Sequence, residues 1–246
     1  MKVNHIINSL GTGGSETILY SLIKNDKKNF HTIIVTSEKG TIFQTFKKLQ
    51  NCKVLDFSNF IVFKKINKIY EFIKHTKEFN EQFTLNSWMY KSHIYSFIVK
   101  FLINYQILIH IRHCGVTREH LFINKIPIYI TLYLSKLFAN KIIYNSYFSK
   151  SNHERIGYPK EMGTVIQNGY SNIKKIDKQK SLRFKNSIVI GMLARKNFIK
   201  DHFTLIKCFE KISKVNKKLV LFLQGSGLEK DKKIKDYIER NKISNI

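Results

Sequence analysis

Two cations five residues apart, Arg195 and Lys200, stand in the segment GMLARKNFIKDH (191–202). The apolar run before them reads as a buried strand, and Asp201 reads as the N-cap of a following helix. In open α/β sheets, ligands bind at the carboxyl ends of strands, and a helix N-terminus favours anions. Arginine can grip two phosphate oxygens at once and lysine adds a point charge, so a diphosphate suits the pair. Solvated loop cations would show the same spacing, so spacing alone leaves both readings open. A second candidate is His113, at the end of ILIHIRH (107–113), where an imidazole can donate a hydrogen bond or move a proton near neutral pH. A structural histidine is the competing reading, and His110, mid-strand, is expected to pack. The run NSWMYKSH (86–93) brings Trp88 and Tyr90 to another strand end, as a sugar-stacking rim or as core. Near the start, LGTGGSE (10–16) crowds Gly11, Gly13 and Gly14 into a turn before a helix opened by Glu16.

These groups need a scaffold, and the hydrophobic pattern supplies one. Strand-like runs at 2–8, 31–36, 52–57, 83–88, 107–113, 141–146 and 163–169 alternate with helical stretches at 16–24, 41–50, 91–103, 126–138 and 147–156. Between 57 and 83 an amphipathic helix sets Val62, Ile66, Ile69 and Ile73 on one face, with Lys64, Lys65, Lys68 and Lys74 elsewhere. Repeated strand–helix–strand units specify a parallel sheet covered by helices on both sides. The polar, basic stretch 171–186 reads as a linker between a domain over 1–170 and a partial one over 187–246. In the latter, strands at 187–194 and 218–227 alternate with helices at 202–214 and 228–241.

Composition bounds the function. The 246 residues are 43% hydrophobic, enough for a core and too many for a disordered chain. Net charge is +26, which suits a polyanion partner such as an anionic membrane face or a phosphorylated substrate. The lysines are spread over many helices with no nucleic-acid motif, so nucleic acid is not expected. An AT-rich coding sequence would also favour Lys, Asn, Ile and Phe and leave only Ala139 and Ala194. Cys52, Cys114 and Cys208 lie far apart and form no metal spacing, as expected of reduced thiols in a cytosolic protein. No signal peptide is read at the N-terminus. The run IPIYITLYL (126–134), bracketed by Lys125 and Lys136, is too short to span a bilayer; it is read as a buried helix or one lying on a membrane surface.

Taken in order, the motifs resemble the GT4 family of retaining glycosyltransferases. LGTGGSE resembles its N-terminal Gly-Gly-x-Glu loop, and SWMYKSH and IRHCG its acceptor-domain strand ends. VIQNGY resembles the Asn-Gly hinge, IGMLARKNFIKDHFTLIKCF the donor phosphate segment, and LVLFLQGSGLEK the next strand and turn. The resemblance implies an α/β GT-B fold: an N-terminal Rossmann-like parallel-sheet domain and an incomplete second Rossmann-like domain. It implies transfer of a sugar, with retention, from a nucleotide-diphosphate-sugar to a glycan or lipid-linked acceptor. Cell-surface polysaccharide or glycolipid assembly, such as lipopolysaccharide or capsule, is the implied setting. No cofactor or catalytic metal is implied. Residue by residue, Gly14 would admit the donor diphosphate and Arg195 and Lys200 would bind it. His113 would sit near the reacting sugar, and Trp88, Tyr90 and Arg112 would form a candidate acceptor rim. Lys91 departs from the histidine common in relatives. The family's second domain continues with a Glu-rich sugar-binding motif that this sequence does not reach, so the chain alone is expected to show little or no transfer.

The runner-up is a non-catalytic remnant or binding protein of the same fold. A nicotinamide-dependent oxidoreductase is further off: G-x-G-x-x-G needs glycine at position 16, where Glu16 stands, although Glu38 could mimic the acidic ribose ligand. The expected location is cytoplasmic, with lysines holding the N-terminal domain to the inner membrane leaflet at about 1 kcal/mol per well-placed Lys.

Overall fold

The computed structural model describes residues 1–79, 83–114, 122–169 and 186–246. The chain divides into two compact units, Met1–Ser171 and Asn172–Ile246. Most of the expected linker over 171–186 lies outside the described residues.

Unit 1 is a seven-stranded, all-parallel sheet. Its strands are β1 (Lys2–Ser9), β2 (Phe30–Glu38), β3 (Cys52–Asp56), β4 (Thr84–Trp88), β5 (Gln106–Ile111), β6 (Lys141–Tyr144) and β7 (Gly163–Val165), in the order β3-β2-β1-β4-β5-β6-β7. Six helices connect them: α1 (Gly14–Asn25), α2 (Phe43–Lys47), α3 (Val62–Glu78), α4 (Tyr90–Leu102), α5 (Phe122–Phe138) and α6 (Tyr147–Arg155). The order reverses between β1 and β4, so the crevice at their carboxyl ends is the ligand position of this topology.

The strands are near-continuous apolar runs because both faces are covered. On one face Ile7, Ile33, Val35 and Trp88 pack under Leu19, Ile23, Phe43 and Phe46 of α1 and α2. On the other, Ile6, Ile34, Leu85, Ile107 and Ile109 pack under Ile69 and Ile73 of α3, Phe97 and Val99 of α4, and Ile128 and Leu132 of α5. Two expectations are corrected here. The helix expected over 41–50 is only Phe43–Lys47. In α3, Val62 is exposed in the first turn, whereas Lys65, expected on the solvated side, is buried with Ile69 and Ile73. Lys65, Ile69 and Ile73 recur at i, i+4 and i+8, the spacing of one helix face, and Lys can bury its methylene stem there.

Unit 2 pairs β8 (Ile188–Leu193) in parallel with β9 (Leu219–Gln224). A 3₁₀ turn at Phe198–Lys200 leads into α7 (His202–Val215), and α8 (Lys232–Arg240) follows β9. Asp201 caps α7 as its type predicts, accepting from Thr204 N at 3.2 Å, and Asp231 caps α8 through Lys233 N and Ile234 N. The core is small: Ile206, Phe209, Leu219, Leu221, Ile234 and Ile243.

Candidate functional site

At the carboxyl edge of the unit 1 sheet, the candidate residues fall into two clusters on opposite faces. The first is His113 with Tyr90. His113 follows β5 by two residues and is half-buried. Its ring meets the Tyr90 ring edge-on, with centroids 6.3 Å apart. Tyr90 is itself held: its hydroxyl lies 2.6 Å from His153 Nε2, while His153 Nδ1 lies 2.7 Å from the Ser149 carbonyl. Nδ1 therefore donates to that carbonyl and Nε2 accepts from the tyrosine, so His153 is neutral. Burial lowers its pKa to about 4. Helix α6 also grips the loop backbone. Ser149 Oγ donates to the His113 carbonyl at 2.6 Å and Asn152 Nδ2 to the Cys114 carbonyl at 2.9 Å. Three α6 side chains thus hold His113 from behind: two on the loop carbonyls and His153 on the adjoining Tyr90.

The second cluster is Trp88 with Arg112, on the α1 face. Trp88 is fully buried: it stacks on His110 at 4.2 Å and its indole N–H donates to His5 Nδ1 at 3.2 Å. Arg112 lies over the Trp88 ring, 5.2 Å from its centroid, and donates to Asn168 Oδ1. Burial pulls the guanidinium pKa down, and its buried Nε has no hydrogen-bond partner among the described residues. Arg112 also lines a cavity of about 460 Å³ with Ile18, Leu22, Asn25 and Gln167. Of the two readings open for Trp88 and Tyr90, rim or core, the structure takes the core, while Arg112 is half-buried. Both rings are buried, Trp88 in the core under α1 and α2, and Tyr90, the first residue of α4 beyond the Met89 turn, in the core on the other face.

His110 packs as expected. Its Nε2 lies 3.0 Å from Asn86 Oδ1, and burial lowers its pKa to about 3, with Arg112 adding to the effect. A hydrogen-bonded chain continues from His5 Nε2 to His31 Nδ1 (3.0 Å), and His31 Nε2 lies 3.2 Å from the Asp26 carboxylate. Among the described residues, no group of three or more His, Cys, Asp or Glu side chains could hold a metal ion.

Between the two clusters, Met89 turns β4 into α4 with φ 68° and ψ 159°, a region nearly reserved for glycine. Met89 N donates to the His110 carbonyl, and the Met89 carbonyl accepts from His93 N, both at 3.1 Å. Strain of about 1–3 kcal/mol is thereby held at the switch point of the sheet.

The Gly-rich loop is built differently from its sequence reading. Gly14 is the first residue of α1, and a Cβ added there would meet nothing within 4 Å. Helix α1 carries no side-chain N-cap. The Glu16 carboxylate folds back against Gly13 and accepts from Ser15 Oγ at 2.8 Å, setting negative charge beside that end. The glycine with a steric duty is Gly40, after β2. It has φ +71°, and a Cβ there would collide with the Leu10 and Gly11 backbone. The sequence reading passed over it.

In unit 2, Arg195 and Lys200 are both exposed, two and seven residues past β8. The loop they flank is braced. Ala194 N donates to the Gln224 carbonyl and Lys196 N to the Ser226 carbonyl, both at 2.9 Å. Gly225 makes this approach possible, since a Cβ there would fall on the Ala194 carbonyl. Lys196, which the motif reading passed over, is tied to Asp231 at 2.7 Å, and the buried His202 reaches the Ala194 carbonyl at 3.1 Å. Arg195 and Lys200 are thus presented from a fixed loop, while Lys196 is occupied. The α7 N-terminus is already answered by Asp201, whose hydrogen bonds to Thr204 hold its carboxyl below the usual range. Anion binding here rests more on the two cations than on the helix end.

The chain shares its fold with solved structures. HepE from Anabaena, solved with UDP and glucose, matches with a TM-score of 0.78 and 19% identity, over 100% of this chain and 67% of that one. A glycosyltransferase from Rickettsia africae matches with a TM-score of 0.69 and 18% identity, over 99% and 66%. A protein described as a UDP-N-acetylglucosamine 2-epimerase from Listeria monocytogenes matches with a TM-score of 0.58 and 11% identity, over 97% and 65%. The chain spans about two thirds of the length of these structures. No protein-family model and no curated protein matches the sequence. At these identities the likeness establishes the α/β, GT-B-type fold, and the chemistry has to be argued from the residues.

Proposed function

We propose that the protein is a glycosyltransferase of the GT4 type. It would transfer a sugar, with retention, from a nucleotide-diphosphate-sugar to a glycan or lipid-linked acceptor in cell-surface polysaccharide or glycolipid assembly. The observation that carries this reading is the pair of exposed cations, Arg195 and Lys200, on a braced loop at the carboxyl end of β8. Its fold context is one in which HepE is solved with UDP and glucose.

In this reading Arg195 grips diphosphate oxygens and Lys200 adds charge. Both act most strongly as the sugar–phosphate bond breaks and negative charge grows on the leaving nucleotide. Gly14, with open room around its Cα at the start of α1, lets the donor diphosphate approach the backbone. His113, oriented by Tyr90 and α6, lies near the reacting sugar as donor or proton carrier. Trp88 and Tyr90, being buried, serve as the floor beneath the acceptor side. No step needs a metal or a redox cofactor. The basic surface holds the protein at the cytoplasmic membrane face, where a lipid-linked acceptor would be met. Among the described residues, no helix is long and apolar enough to cross a membrane.

Calorimetric titration with UDP tests the assignment. The expected result is binding that weakens at least about tenfold in Arg195→Ala/Lys200→Ala with folding unchanged, since each cation contributes a charge-assisted bond. Equal UDP affinity in the double variant and the parent would sink it.

A further inference from the structure

We infer that Arg112 and the cavity it lines in unit 1 recognise an acidic sugar, so that the acceptor carries a carboxylate or a phosphate. The inference rests on the proposed function, in that it names the chemical class of the acceptor.

Arg112 is a cation without a counter-charge. It follows β5 directly and is half-buried. Among the described residues it forms no ion pair, and burial is the cause of its lowered pKa. The groups around it are neutral. Nη1 donates to Asn168 Oδ1, and the guanidinium lies over the Trp88 ring at 5.2 Å. Trp88 in turn gives its N–H to His5 Nδ1 and stacks on His110, which burial keeps uncharged near neutral pH. Taking a charge out of water costs free energy until an opposite charge meets it with good hydrogen-bond geometry. The indole face offsets part of that cost. The cavity is the side from which an anion would supply the rest.

The cavity has the size and lining of a small-molecule site. It encloses about 460 Å³ between α1 and the segment after β7, all within unit 1. Ile18, Leu22 and Ile166 give it apolar walls, and Ser21, Asn25 and Gln167 give it polar groups. Arg112 is the one charged residue lining it among the described residues. Apolar walls, a few hydroxyl and amide groups and a single cation match a sugar ring that carries one acid. The C–H face of the ring would lie on the aliphatic side chains, its hydroxyls on the amides, and the acid on the guanidinium, whose planar fork suits two oxygens of one group. A nucleoside diphosphate carries more charge than one half-buried cation answers, and suits the exposed pair Arg195 and Lys200 better. A neutral sugar would leave Arg112 uncompensated.

Trp88 is the one tryptophan of the chain and lies under Arg112, so its fluorescence reports on the site. Titrations with glucuronate, glucose 6-phosphate and glucose at constant ionic strength test the inference. The expected result is a saturable change in emission with an acidic sugar and none with glucose at the same concentrations. The acid that binds tighter identifies the acceptor's group as carboxylate or phosphate. Affinity should fall at least about tenfold in Arg112→Gln, which loses a charge-assisted bond, and by less in Arg112→Lys, which keeps the charge without the fork. Ligand-observed NMR checks the same ranking without relying on the indole, and circular dichroism confirms that each variant folds. Equal binding of glucose and the acidic sugars, no binding of either acid, or unchanged affinity in Arg112→Gln overturns the inference. Inorganic phosphate that binds as tightly as the sugar acids also overturns it, since the site would then read a bare anion. Calorimetry with UDP separates the two readings. Acidic-sugar binding without UDP binding breaks the proposed function and leaves the cavity standing, whereas UDP binding without acidic-sugar binding breaks this inference alone.

Discussion

Unit 1 holds its candidate groups from behind, whereas unit 2 presents them from two loops pressed together. His113 is backed by Ser149, Asn152, Tyr90 and His153, and beneath it lie cores on both faces of a seven-stranded sheet. Arg195 and Lys200 are exposed beside a two-stranded sheet whose core is a few residues. Buried polar networks fix one geometry but cost free energy when a member changes charge, while exposed cations adapt to a ligand and contribute little to stability. In the proposed function, the difference would let unit 1 orient and unit 2 hold phosphate.

The largest test of that contrast is acid. Burial lowers the pKa of His93 and of His110 to about 3 and that of His153 to about 4. In the unfolded chain each titrates near 6.5. Below that value the unfolded state takes up protons that the folded state refuses. Stability is therefore fully present above about pH 6.5 and is lost as pH falls toward the folded values. With all three groups contributing, the slope reaches up to about 4 kcal/mol per pH unit. Urea midpoints between pH 4.5 and 7.5 should show it, and His153→Gln should remove about one proton's worth. Hydrogen exchange should place the acid-induced loss in the β4 and β5 amides of unit 1. A flat midpoint across this window would mean that these histidines are not buried as neutral groups.

Next in size are the glycines, which contrast a backbone contact with open space. Gly40→Ala must relieve both a positive φ and a collision with the Leu10–Gly11 backbone, and should cost about 3 kcal/mol or more in urea unfolding. Gly14→Ala, with nothing near its new methyl group, should leave stability within about 0.5 kcal/mol. If Gly14→Ala or Gly14→Val nevertheless weakens UDP binding, the effect must come from the ligand side. Gly225→Ala should loosen the Arg195 loop and weaken UDP binding while the urea transition of unit 1 stays in place.

Much of this was legible in the sequence, for identifiable reasons. The parallel sheet followed from β-branched runs alternating with amphipathic helices, and the Asp201 cap from its residue type. What was not legible depends on which residues become neighbours after folding. No spacing rule ties Ser149 and Asn152 to carbonyls 36 and 38 residues earlier. Gly40 went unread and Gly225 looked like an ordinary turn residue, because a close approach by a distant backbone leaves no local mark. Trp88 stayed open between rim and core because a strand end fits either, and the stack with His110 and the His5 bond decide for the core. Lys65 shows the same limit in α3: charge type outweighed its place on the buried face.

The smallest expected effect bears most directly on the division of labour. Ser149→Ala and Asn152→Ala each delete one side-chain bond to a loop carbonyl. Either loss should cost only about 1 kcal/mol, because an intramolecular hydrogen bond largely replaces one to water. If α6 merely stabilises the fold, that cost is the whole consequence. If α6 orients His113, the imidazole resonances of a histidine-labelled sample should broaden or shift for His113 while those of His5 and His31, on the opposite face, stay fixed. Ser149→Thr, which keeps the hydroxyl, should restore the parent spectrum. Unchanged His113 resonances in Ser149→Ala would reduce α6 to packing, and the contrast between a unit that orients and a unit that holds charge would lose its basis in unit 1.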